Sequence, residues 1–169
     1  MILGKQNLRQ YFLFVLLILF LSACSKNAES VNNHYYLSLT GESQTWNVTG
    51  YEVMLTPEVF KAGNGTLTMK NTEEYVADTF HFETHAVIDG EDVTVHSGSV
   101  AGAGIDIAVE TTGAIEGDAY QNENGVSMTL NDISEMYLIV EWWDIGKSES
   151  EKERIDLWNK DRREETFLN

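Results

Sequence analysis

From His34 onward, apolar and polar positions alternate in short runs. Tyr35, Leu37 and Leu39 alternate with Tyr36 and Ser38, and Trp46 and Val48 are followed, past Gly50, by Tyr51, Val53 and Leu55. Leu67 and Met69 come after Asn64-Gly65; Phe80 and Phe82 lead one hairpin arm, and Val93 and Val95 lie in the next. Ile105, Ile107 and Val109 alternate again, as do Val126, Met128 and Leu130, and Met136, Leu138 and Val140 precede a Trp142-Trp143 pair. A period of two, in short segments parted by Gly, Asn and Asp, predicts antiparallel strands with one buried face. Eight or nine such strands over about 125 residues point to an all-β domain, an antiparallel β-sandwich of which the immunoglobulin-like arrangement is one form. The single proline, Pro57, falls just after a strand run, where a missing N–H costs little. Towards the end, Glu149 to Arg163 is rich in Glu, Lys and Arg, so a helix competes with a last strand at Glu153 to Trp158. The strand is favoured because Ile155 and Leu157 need a core face, which leaves 159–169 as a charged tail.

Before His34 the pattern is different. Lys5 and Arg9 precede an unbroken apolar run, Tyr11 to Leu21, of 11 residues. A membrane-spanning helix needs about 20, whereas this length suits the apolar segment of a secretory leader. Leu21-Ser22-Ala23-Cys24 then resembles the bacterial lipobox, which implies that residues 1–23 are cleaved and that Cys24, the only cysteine, carries diacylglycerol. Two acyl chains anchor lastingly where one holds marginally, so the expected location is the extracytoplasmic face of the cell membrane. Residues 24–33 read as a lipidated polar tether and 34–158 as the folded domain.

Removing the leader with its two cations leaves 146 residues at a formal charge of −18, from 11 Lys+Arg against 27 Asp+Glu in the full 169. This balance argues against nucleic acid as a partner and against a polybasic contact with anionic lipid. With the lone cysteine assigned to lipid, no disulfide is expected, and a core must hold the domain.

Gly41-Glu42-Ser43, then Trp46, Val48, Tyr51 and Val53, is similar to the opening of small, mostly uncharacterised Gram-positive bacterial lipoproteins with β-sandwich domains. The ending is similar too: a Trp-bearing strand at Ile139 to Trp143, a Gly146-Lys147 turn, and a Glu-rich strand at Glu151 to Leu157. The resemblance implies a fold and a location without an activity. The Trp142-Trp143 doublet and the charged tail depart from the family pattern.

Candidate chemistry gathers around Asp89-Gly90, a two-residue hairpin turn signal. With those residues at the tip, Phe82, Thr84, Ala86 and Ile88 share the core face with Val93 and Val95. His81, Glu83 and His85 then share the outer face with Asp92, Thr94 and His96, and Glu83 stands opposite His96. Three imidazoles and a carboxylate in that spacing suit zinc, copper or nickel; the plain alternative is a solvated sheet face. A register shift of one residue would move His96 to the other side.

Trp142 and Trp143, adjacent on a strand, must face opposite ways, so one is available to stack on a glycan or anchor a protein, unless the segment containing Trp158 covers it. Acidic clusters at Asp89, Glu91 and Asp92, and at Glu116, Asp118, Asn122 and Glu123, lack calcium-loop spacing and read as solvated loops. Gly98, Gly102 and Gly104 match no phosphate loop, and no Gly-x-Ser-x-Gly elbow occurs. The expected function is a lipid-anchored module that binds an unknown envelope protein or glycan without catalysis. A metal-binding lipoprotein is the alternative.

Overall fold

The computed structural model describes residues 34–122 and 124–161; Cys24, the leader, Glu123 and the end of the charged tail lie outside them. The described chain forms two antiparallel sheets packed face to face, a β-sandwich. The first sheet contains β1 (Tyr35–Glu42), β2 (Trp46–Leu55), β3 (Val59–Gly63), β4 (Thr66–Met69), β7 (Val109–Thr111) and β8 (Ala114–Asp118). The second runs in the order β10 (Glu149–Asn159), β9 (Ile133–Asp144), β5 (Val76–Ile88), β6 (Glu91–Asp106).

Register explains the broken strands of the first sheet. Trp46–Thr49 of β2 pairs with β4 and Glu52–Leu55 with β3, with no slip between the two blocks. β3 and β4 therefore act as one strand creased at Asn64-Gly65. β7 and β8 repeat the crease at Thr112-Gly113, where Asn64 N–H donates to the Gly113 carbonyl at 2.6 Å.

Inward residues of both sheets make one core, with Trp46, Tyr51, Leu67, Ile133, Met136, Leu138 and Ile155 wholly buried. Their removal from water is the main force holding the domain together, at about 25 cal/mol per Å² of apolar surface. On one side the sandwich is tightly closed: a Cβ added at Gly41 of β1 would lie 2.5 Å from the Asp156 carbonyl oxygen of β10. The opposite side, along β6, has no covering strand among the described residues.

The expected last strand is present as β10, with Ile155 and Leu157 buried. Other expectations need correction. Ile105, Ile107 and Val109 do not share a strand: β6 ends at Asp106, buried Ile107-Ala108 carries the chain to the first sheet, and Val109 is exposed. Nor is Val126-Met128-Leu130 a strand. Met128 plugs the core from a loop, and Leu130–Asp132 makes a short 3-10 turn closed by a capping box, in which Thr129 N–H donates to Asp132 Oδ2 at 2.7 Å. Among the described residues no helix is long and apolar enough to cross a membrane.

Candidate functional site

The hairpin turns at Asp89-Gly90, and its first pairs follow the expected register: Ile88 with Glu91, Val87 with Asp92, Ala86 with Val93, His85 with Thr94. Then the ladder slips. Thr84 pairs with His96 and Glu83 with Ser97, leaving Val95 as an extra residue in a β-bulge. The expectation that His96 stands on the outer face opposite Glu83 is therefore overturned. His96 is 5% exposed, shares a hydrogen bond with the Tyr51 hydroxyl through Nδ1 at 3.0 Å, and meets the Phe82 ring edge-on at 5.1 Å.

The slip has a packing cause. It sets Gly98 opposite Phe82, and a Cβ on Gly98 would lie 2.5 Å from the Phe82 ring. The regular register would put Ser97 in that place, where its Cβ has no room.

His81, Glu83 and His85 do share the outer face. His81 Nε2 lies 3.3 Å from Glu83 Oε1 and His85 Nε2 lies 3.4 Å from Glu83 Oε2, so the imidazoles approach opposite oxygens of one carboxylate. Across the hairpin, His85 Nδ1 is 2.9 Å from Asp92 Oδ1. Among the described residues no group of three or more His, Cys, Asp or Glu is arranged to hold a metal ion. Without His96 the four-ligand set is not assembled.

The same face carries a cluster that sequence reasoning missed. His85 and Tyr137 are cross-strand neighbours on β5 and β9, and their rings stack at 4.8 Å with planes 4° apart. From β10, on the other side of β9, the Arg154 guanidinium sits 3.6 Å from the Tyr137 ring centre. Arg154 is in turn paired with Asp156 and Glu135. The Tyr137 hydroxyl donates to Asp92 Oδ2 at 2.5 Å.

Burial, then the bond to Asp92, pushes the Tyr137 phenol up to about 12. The Tyr137 hydroxyl, followed by His85, holds the Asp92 carboxyl below its usual value, and His81 does the same for Glu83. These ionisable groups are engaged with one another in a flat, cross-linked face. The available signal was strand parity, which puts Tyr137 outward between Met136 and Leu138.

Trp142 and Trp143 do face opposite ways. Trp142 is core, edge-on to Trp46 at 5.6 Å, so it has no stacking face to offer. Trp143 is 38% exposed on the outer face. Trp158 does not cover it, since it is buried opposite Met136 near the other end of β9. Ala77 pairs with Asp144, and Val76 and Ile145, one step further along each chain, are 43% and 44% exposed.

These exposed apolar residues lie where β5 begins and β9 ends. Tyr35, where β1 begins, lies at the other end of the sandwich, since it pairs with Leu55 beside the β2–β3 turn. At that end the acidic hairpin tip faces Tyr120–Asn122 and Val126–Thr129 across a cleft of about 660 Å³. Asp89, Glu91 and Asp132 line it together with Tyr120, Val93 and Met128. Carboxylates there favour cationic over anionic guests.

No family model matches this chain, and no curated protein or solved structure is significantly similar to it.

Proposed function

We propose that this chain is a lipid-anchored, extracytoplasmic binding module of the bacterial envelope, held by diacylglycerol on Cys24 and docking an envelope protein through the outer face of its second sheet. The observation that carries this reading is the exposure of Trp143, Val76 and Ile145 at one end of the second sheet. A large aromatic left partly in water at the same sheet end as two exposed aliphatics, remote from Tyr35, is the composition of a protein-docking anchor. Mutual engagement of Asp92, Glu83, His85 and Arg154 supports docking over catalysis, because these groups already hold partners.

The anchor is tested by fractionating cells that express the full chain. Cys24→Ala should move the protein out of the membrane fraction and remove the diacylglycerol mass; membrane retention without that mass would contradict it. The docking face is tested with a photo-crosslinking residue in place of Trp143, beside a control at exposed Glu116. One envelope protein captured from 143 and not from 116 is expected. Capture from both positions or neither, or of glycan alone, would remove the protein-docking reading.

A second reading, a zinc- or copper-binding lipoprotein, is favoured by one observation: His81 and His85 both turn towards Glu83. Calorimetric titration decides it. One equivalent bound, lost in His81→Ala and His85→Ala and unaffected by His96→Ala, is the pattern this geometry requires.

A further inference from the structure

Edge strands expose a row of unpaired backbone N–H and C=O groups, and proteins ordinarily guard them with charge, brevity or a covering segment. Three of the edges here are guarded. β10 carries Glu149, Glu151, Lys152, Glu153, Arg154 and Asp156, and β1 lies close against it at Gly41. β7 has three residues, and β8 has five, with Glu116 and Asp118 among them.

β6 is the exception. It is 16 residues long, is flanked only by β5, and has no charged side chain from Val93 to Ile105. Between the bulge at Val95 and a second irregularity opposite Asp78, its ladder is regular from His96 to Ala101. The residues from Ser99 to Gly104 are all exposed.

The strand is also nearly symmetric about Val100. Ser99 and Ala101 flank it, then Gly98 and Gly102, then Ser97 and Ala103. Antiparallel pairing of this segment with itself puts small residues opposite small residues and Val100 opposite Val100, leaving no side chain to hold the backbones apart.

We propose that β6 pairs antiparallel with β6 of a second copy, across a two-fold axis at Val100, joining the two four-stranded sheets into one. Charge favours this occupant. At a formal −16, two copies repel wherever carboxylates would face each other, and the central stretch of β6 is a surface where they can meet without that opposition. A two-fold, self-complementary contact is also the commonest form of association between identical chains. Residual repulsion between the acidic bodies makes the pairing stronger as salt rises.

Disulfide trapping tests the register, using the full chain in detergent in a Cys24→Ser background. Val100→Cys should cross-link under mild oxidation. Ser97→Cys alone should not, because it lies six residues, about 20 Å, from its own image. A mixture of Ser97→Cys and Ala103→Cys chains should cross-link, faster at about 500 mM than at about 20 mM salt. Adding Val100→Lys to both chains of that mixture should abolish the product while leaving the far-ultraviolet circular dichroism spectrum of the folded domain unchanged. Cross-linking of Val100→Cys no faster than of Ser97→Cys, or a mixed product that survives Val100→Lys, would overturn the proposal.

Discussion

His96 has exchanged water for the Tyr51 hydroxyl, the Phe82 ring and the wholly buried Thr84 beside them. Burial disfavours the charged imidazolium and lowers its pKa in the fold, while the unfolded chain takes up its proton near the ordinary value of about 6.5. Stability linked to His96 is therefore fully present above about pH 6.5. It declines as pH falls below that towards the folded value, because only the unfolded state then gains a proton. Denaturant titrations between about pH 7.5 and 5 should show this loss in the wild type and a flatter profile in His96→Gln. Glu83 and Asp92, held below their ordinary values, act in a lower window: their contribution is present above about pH 4.5 and is lost as acid titrates the folded carboxylates. An unchanged slope in His96→Gln between pH 7.5 and 5 would contradict the assignment.

Among the elements, β1, β2, β5 and β9 were legible in the sequence because each buries one face and wets the other, which writes a period of two into the side chains. Most of β6 was not legible: past His96 it is an edge with water on both faces, so Ser, Gly and Ala carry no apolar signal. β8 offered a single large apolar residue, Ile115. The bulge at Val95 was invisible for another reason, since it depends on which residue must face Phe82 across the strand pair. Only Gly98 fits there. Gly98→Ala should therefore destabilise the domain by about 1–3 kcal/mol, as overpacked cores do. Combining it with Phe82→Leu should recover part of that loss in a double-mutant cycle; strict additivity would show that the ring does not set the register. The outer-face candidates fared likewise: His81, Glu83, His85 and Trp143 followed from strand parity, while the place of His96 depended on the bulge.

For the molecule as a whole, the two sides of the sandwich differ. Along β1 and β10 the backbones approach so closely that Gly41→Ala would drive a methyl group into the Asp156 carbonyl, which neither strand can move aside cheaply. About 1–3 kcal/mol should be lost, seen as a fall in melting temperature of about 3–10 °C; a neutral result would mean that this closure gives easily. The end at which β1 begins has a mechanical consequence. A pull applied between Tyr35 and Trp143 would run along the strands rather than across them. The hydrogen bonds from β1 to β2 lie perpendicular to that line, and the pairs from Tyr35–Leu55 to Glu42–Asn47 would be sheared together instead of unzipped one at a time. Under tension between those two points the domain should behave as a stiff link.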